Sequence, residues 1–425
     1  MTDTATDSHD PYASLRVRDF RLFLAGRMLS AAGQQMLDVA IGWELYERTH
    51  SALALGLVGL VLVVPIVALA LPSGHLADRH ERRGIVLATQ LILALCSLGL
   101  AVLSFERGPI PLVYVTLFVI GIALAFNRPA TSAMLPQLVP AEDFANAVTW
   151  NSSGFQIASV VGPALGGAII GIRKQAGPVY IVDAAMALAF FVCVWAMRAR
   201  KIEGAGDRKA MTIQSLVAGV VYVWRSKVIL AAITLDLFAV LFGGATTLLP
   251  IFAKDILHVG PAGFGWLRAA PSIGALAMAI AITHRPPMRR AGRSLLLAVA
   301  GFGAATIGFG LSRSFALSMV LLLIAGGLDN ISVVVRHTLV QLRTPDAMRG
   351  RVSAVNGVFI DTSNELGGFE SGVTAAWLGP VISVVAGGII TIAVVATVAR
   401  LWPELREMGN LAAEDWGPEV EADNG

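Results

Sequence analysis

The stretch Gly74-His75-Leu76-Ala77-Asp78-Arg79-His80-Glu81-Arg82-Arg83 decides how this chain is read. It sets Asp78 four residues after Gly74 and follows the acid with Arg79, Arg82 and Arg83. Its flanks, about 53–76 and 84–104, are almost wholly apolar. A helix rising 1.5 Å per residue needs roughly twenty such residues to cross a hydrocarbon layer of about 30 Å, and each flank supplies them. Arginines concentrated in a short turn between two membrane-length runs accumulate on the cytoplasmic side. A topology signal alone explains the arginines but not the acid in register with a glycine.

The same pattern continues outward to both ends. Of 425 residues, 56% are hydrophobic and only 14% charged, which leaves too little polar surface for a water-soluble fold. Further apolar runs at about 20–46, 110–134, 150–172, 178–197, 228–252, 263–284, 294–312, 315–341, 352–374 and 379–400 bring the expectation to twelve spans. The fold class is an all-α membrane protein. Its 43 glycines suit helices that approach closely, since lipid gives them no hydrophobic reason to associate. Cys96 and Cys193 lie in separate apolar runs, so neither a disulfide framework nor a metal site is expected. The acidic start, with Asp3, Asp7 and Asp10, lacks the features of a cleaved signal peptide, so the first span is expected to remain.

With the N-terminus inside, Arg16, Arg18, Arg21, Arg79, Arg82, Arg83, the 198–227 stretch, Arg285, Arg289, Arg290 and Arg293 share one side. The other side holds Arg48, Arg107, Arg173, Lys174, Lys254 and Arg313. Both termini are therefore expected in the cytoplasm. The net charge of +3 follows from this rule without nucleic acid as a partner. A polar stretch at 201–210 lies near the chain midpoint, and Met211, Ile213, Leu216, Val217, Val220, Val221 and Trp224 recur after it at helical spacing. The organisation expected is a cytoplasmic N-terminal tail (1–19), a six-helix bundle (20–200), a linker with an amphipathic helix (201–227), a second six-helix bundle (228–400) and an acidic, disordered cytoplasmic tail (401–425). Gln137-Leu138, Pro140, Glu142 and Val148 are echoed 204 residues later by Gln341-Leu342, Pro345, Asp346 and Val352, as a parallel repeat of two halves requires.

The Gly74–Arg83 stretch resembles the signature loop of the major facilitator superfamily, with Glu81 at a position where that family usually has glycine. The resemblance implies that Gly74 allows helix approach and that Asp78, Arg79, Arg82 and Arg83 govern a conformational switch. Gly162-Pro163-Ala164-Leu165-Gly166-Gly167 looks like the superfamily's antiporter element, and proline with glycines in one helix gives a bend or close packing. Leu117 stands four residues before Gly121, where related drug antiporters carry arginine. Residues from about 20 to 400, and above all Ala77–Arg83 and His337–Arg351, are similar to the enterobactin (siderophore) exporter family. That likeness implies a major facilitator fold of two six-helix halves in a bacterial inner membrane, exporting hydrophobic or siderophore-like molecules on the proton gradient. Uptake, or a non-transporting receptor of the same fold, is the competing reading.

An ionisable side chain at membrane depth is costly and faces other helices or a wet cavity. In such a fold spans 1, 4, 7, 10 and 11 face the cavity, so Asp361, Glu365, Asp38 and Asp329 are candidates for carrying the coupled proton. Asp361 and Glu365, four residues apart, share a helix face, where their mutual repulsion favours holding a proton between them. Gln34, Asp236, Asn330, Arg336, Asn364, Glu370 and Arg128 are candidates for the substrate cavity, with Asp329 and Arg336 on one face of span ten. No phosphate-cradling Gly-x-x-x-x-Gly-Lys, no His-Glu-x-x-His and no Cys-x-x-Cys is present, which argues against an enzyme and against a cofactor. The expected partners are a small-molecule substrate, protons and the lipid bilayer, with a monomer as the working unit.

Overall fold

The computed structural model of the chain describes residues 10–198, 213–243, 245–284 and 290–409. The expected linker at 201–210, the arginines at 285 and 289, the first nine residues and the end of the acidic tail lie outside them, as do the side chains of Asp78 and Asp361.

The chain runs through α1 (Arg18–Thr49), α2 (Ala52–Ala68), α3 (Ala70–Arg79), α4 (Arg82–Phe105), α5 (Ile110–Leu138), α6 (Phe144–Arg173) and α7 (Gly177–Trp195). After the linker come α8 (Ile213–Arg225), α9 (Lys227–Gly243), α10 (Leu249–Ile251), α11 (Gly260–Thr283), α12 (Ala291–Leu311), α13 (Phe315–Arg343), α14 (Asp346–Leu378), α15 (Pro380–Leu401) and α16 (Pro403–Glu407). Among the described residues, nine helical segments are long and apolar enough to cross a membrane. α1 and α14 fall outside that set although they have 32 and 33 residues, and α2 falls short at 17. α1 and α14 are the helices dense in charge, and both contribute to a cavity wall described below.

Two spans are irregular. The second breaks at Leu69, four residues beyond Pro65, so α3 turns away from α2 to lie against α5. Pro65 lacks the N–H that would bond the Val61 carbonyl, which loosens the turn ahead of the break. The seventh passes from α9 through a 3-10 turn at Ala245–Leu248 and α10 into a π turn at Phe252–Ile256. At the tight turn between α14 and α15, Gly379 takes φ +89°, a conformation that favours glycine, with Pro380 opening the next helix.

α1 packs on α6 and α7, α4 on α5 and α7, and α2 on α5; α12 packs on α13 and α15, α11 on α13, and α9 on α14 and α15. These two sets meet along two seams, α2 with α14 and α6 with α11. Backbone approaches backbone at both. A Cβ built on Gly56 would stand 2.9 Å from the Gly372 Cα, and one on Gly167 would stand 2.5 Å from the Pro261 carbonyl oxygen and 2.8 Å from the Gly265 Cα. Trp43 stacks on Phe264 at 6.1 Å and the Tyr46 hydroxyl donates to Asp255, so the end of α1 is fastened to the opposite set as well. One apolar cluster, including Met36, Trp43, Tyr46, Leu249, Phe252 and Phe264, spans both sets at this end. At the end where α1 begins, Phe20, Phe23, Met134 and Phe190 belong to a cluster of the first set alone, and Leu235, Leu295 and Val335 to one of the second. Among the described residues the two sets thus share an apolar cluster at one end and keep separate clusters at the other.

The described residues nearest each end pack onto the helices. Ser14, in a short 3-10 turn, is fully buried and bonds Asn146 of α6, while the Trp150 indole donates to the Pro11 carbonyl at 3.0 Å. Residues 401–409 are not a disordered tail: Leu405 and Met408 are buried beside α12, and a Cβ on Gly292 would collide with the Leu405 carbonyl. Their apolar side chains explain the difference, because Leu405 and Met408 give this segment a face to bury despite Glu404 and Glu407. α8 does not merely lie on a surface; it packs on α14 and α9, with the Tyr222 hydroxyl donating to the Arg343 carbonyl at 2.7 Å.

The seam makes a checkable demand. Gly167→Val is expected to lower the thermal unfolding midpoint of the purified protein by several degrees, whereas Gly171→Val, whose Cβ would meet Ala262 at an ordinary 3.4 Å, is expected to leave it nearly unchanged.

Candidate transport site

On α1, Arg27, Ala31, Gln34, Asp38 and Ile41 recur every three or four residues and so share one face. On α5 the same spacing aligns Leu117, Ile120, Leu124, Asn127 and Arg128. These two faces form much of the wall of a cavity of about 530 Å³, which α2, α4, α6, α7 and α14 complete. Leu62 and Leu93 give it apolar surface, Phe155 and Phe190 aromatic surface, and Glu365 is the contribution of α14. Such a mixture of apolar wall with a few convergent polar groups suits a small organic ligand.

The polar groups are held from behind. The Ser30 hydroxyl donates to the buried Gln90 at 3.3 Å, and the Asn127 amide donates to Thr89 at 2.8 Å. Both bonds tie the cavity face to α4. Asp38 opens onto the cavity although protein surrounds it, and it forms an ion pair of 3.5 Å with Arg268 of α11. That pair crosses from one helix set to the other. Arg128 lies near enough to add a second positive charge to the field at Asp38.

Of the residues marked in the sequence, Gln34, Asp38, Arg128 and Glu365 line this cavity. The others whose side chains are described lie elsewhere. Arg336, expected beside Asp329, is buried and ion-paired with Asp236 of α9 instead, so neither Asp236 nor Arg336 lines the cavity. The expectation failed because helix periodicity ranks partners within one helix, while the nearest carboxylate lies on another. Asp329 and Asn330 are half-buried on α13 and off the wall. Asn364 is exposed and returns its amide to the Ile360 carbonyl at 2.9 Å; Glu370 accepts from Thr374 at 2.8 Å. Asp183, in the apolar run read as the sixth span, escaped notice. It lines the cavity and accepts a hydrogen bond from Ser97 at 2.5 Å, and an acid in that run was signal enough to have found it.

The basic turn is a set of ties. Arg82 donates from Nη1 to the Ala133 carbonyl of α5 at 2.9 Å and from Nε to Ala77 at 3.2 Å. Arg83 reaches the Val194 and Trp195 carbonyls at 3.2 and 2.7 Å, capping the open end of α7. Arg79 is exposed. At Gly74 a Cβ would meet open space, so the close approach expected there is not made in this conformation. Gly162 and Gly166 do make one, lying against the Ala32 carbonyl and Met36 of α1, while Gly167 faces α11 and Pro163 is buried.

The profile of the family described as transmembrane secretion effector matches residues 9–423. The chain belongs to this family of major facilitator transporters. Among its relatives is the multidrug efflux pump Tap of Mycolicibacterium fortuitum, 27% identical over 404 residues, covering 91% of this chain and 96% of Tap. The enterobactin exporter EntS of Escherichia coli O1:K1 is 25% identical over 370 residues, covering 87% of this chain and 88% of EntS. The fold is that of a bacterial homologue of the lysosomal transporter Spinster, with a TM-score of 0.71 at 14% identity over 94% of this chain and 99% of that one. A peptide transporter of the POT family gives a TM-score of 0.72 at 12% identity, covering 91% and 94%. The protein is accordingly a multi-pass membrane protein that moves a small molecule.

Arg82→Ala removes two charge-assisted bonds and is expected to cost on the order of 1–3 kcal/mol of stability. Arg79→Ala is expected to stay within about 0.5 kcal/mol. Urea unfolding of both variants in detergent micelles checks the contrast.

Proposed function

We propose that this protein is a proton-coupled exporter of a small hydrophobic or siderophore-like molecule, working by alternating access between two six-helix bundles. In this reading the second span (α2 with α3), α1 and α14 also cross the bilayer, making twelve, and both termini lie in the cytoplasm of a bacterial inner membrane. The arginine asymmetry supports that orientation. It makes the separate end of the two sets the cytoplasmic end, so the conformation is inward-open, ready to receive cargo from inside. Transport, not catalysis, is what a cavity walled by the first bundle and met by Glu365 of the second offers, and a monomer suffices for it.

One observation carries the coupling. Asp38 faces the cavity and pairs across the bundles with Arg268. A proton on Asp38 cancels the charge that attracts Arg268, so protonation and the relative position of the bundles are linked. Glu365, on the cavity wall where α14 meets α2, is a second acid placed to couple, and Asp361 on the same helix remains a candidate. Gln34 and Arg128 are the polar groups placed to orient cargo. Relatives that expel several drugs and enterobactin support a substrate that is bulky and largely apolar.

Proteoliposomes carrying an internal pH dye give the test, with enterobactin and the lipophilic dye ethidium as probes. An imposed proton gradient is expected to drive at least one probe uphill in the wild type, and Asp38→Asn is expected to abolish uphill transport while leaving downhill exchange. Glu365→Gln is expected to flatten the pH dependence of flux. No proton movement with either probe in the wild type overturns the coupling. A protease-accessible tag at either terminus is expected to be cut only from the cytoplasmic face, and periplasmic cutting reverses the orientation.

A further inference from the structure

Asp183 lies on α7 with its side chain almost fully enclosed, yet it belongs to the cavity wall. Its niche is shaped for it. A Cβ on Gly33 of α1 would stand 2.4 Å from Asp183 Oδ1, so glycine at position 33 leaves the carboxyl group room in its present position. On the other side Ser97 of α4, itself buried, donates its hydroxyl to Oδ2 at 2.5 Å. From the helices packed against α7, the polar neighbours are Ser97 and Gln90 on α4, Arg27, Gln34 and Asp38 on α1, and Asn151 on α6. Among the described residues none of these supplies Asp183 with an ion pair, and Asp38 is the charged group whose field reaches it. That neighbour is also an acid.

We propose that Asp183 is a proton-carrying site of the transport cycle, holding its proton on Oδ1 in the inward-open conformation and exchanging it with water in the cavity. The inference rests on the proton-coupled reading above and adds a site on α7 to it. A buried carboxylate with one neutral donor and an acidic neighbour is uncompensated, and such a charge is costly at membrane depth. As the neutral acid it keeps the Ser97 bond on Oδ2 and carries no charge. Asparagine would satisfy Ser97 equally well, so hydrogen bonding alone gives no reason for an acid here. On release, the Oδ1–H bond breaks with its electron pair left on Asp183, and a cavity water takes the proton as hydronium. Asp38, paired with Arg268, then feels a second negative charge on the same wall. The two acids therefore act on each other, one exposed to the cavity and paired across the bundles, the other enclosed within its own bundle.

The test needs no known substrate. Infrared difference spectra between acidic and alkaline buffer, taken on the full-length protein in proteoliposomes, report the C=O stretch of protonated carboxyl groups. The wild type is expected to show such a band that Asp183→Asn removes and Asp38→Asn retains. Ser97→Ala, which keeps the acid but deletes its donor, is expected to move the frequency of that band, and decides the matter if Asp183→Asn does not fold. Identical carboxyl bands in the wild type, Asp183→Asn and Ser97→Ala overturn the proposal. Proton flux against enterobactin in the same vesicles separates it from the broader reading. If the wild type couples and Asp183→Asn couples equally, Asp183 carries no transported proton. If the wild type does not couple at all, the exporter mechanism fails while the infrared spectra still decide whether Asp183 exchanges a proton.

Discussion

Everything else in this structure depends on the close backbone contact where α6 meets α11 and α2 meets α14. Helices in lipid gain nothing from hiding apolar side chains, so they associate through packing and through what small residues allow. Gly167 against Gly265, and Gly56 against Gly372, let the two helix sets touch with no side chain between them. Two such seams at one end are reinforced by Trp43 on Phe264. The cavity is walled by helices of the first set, and Glu365 of α14 reaches it beside the seam with α2.

A cavity changes what the membrane tolerates. Charged side chains on α1 and α14 would be costly against lipid, and Arg27, Asp38 and Glu365 stand on the cavity wall instead. The charge density of these two helices keeps them from passing as membrane spans on composition. Where charges lie away from the cavity they are compensated differently, as with the buried Asp236–Arg336 pair in the second set. Removing one member of such a pair is expected to be more harmful than removing both, because the survivor is left buried without its counter-charge.

The basic turn fastens the first set to itself. Arg82 and Arg83 donate to carbonyls near the ends of α5 and α7, so the start of α4 is fixed to two neighbours in its own set.

The membrane class, the helical runs, their approximate ends and the arginine asymmetry were legible in the sequence, because hydropathy and the length of a span are local properties set by the thickness of a bilayer. Gln34, Asp38, Arg128 and Glu365 were legible as polar residues in spans for the same reason. Which polar residue meets which was not. Arg336 turned to Asp236 on another helix and not along its own, Asp38 found Arg268 of the opposite set, and Asp183 gained its niche from Gly33 and Ser97 on two further helices. Those partners lie 86 to 230 residues apart, separated by whole spans of chain, and only the packing of one helix on another brings them together. Periodicity fixes the face on which a side chain stands; the tertiary structure alone decides what stands opposite.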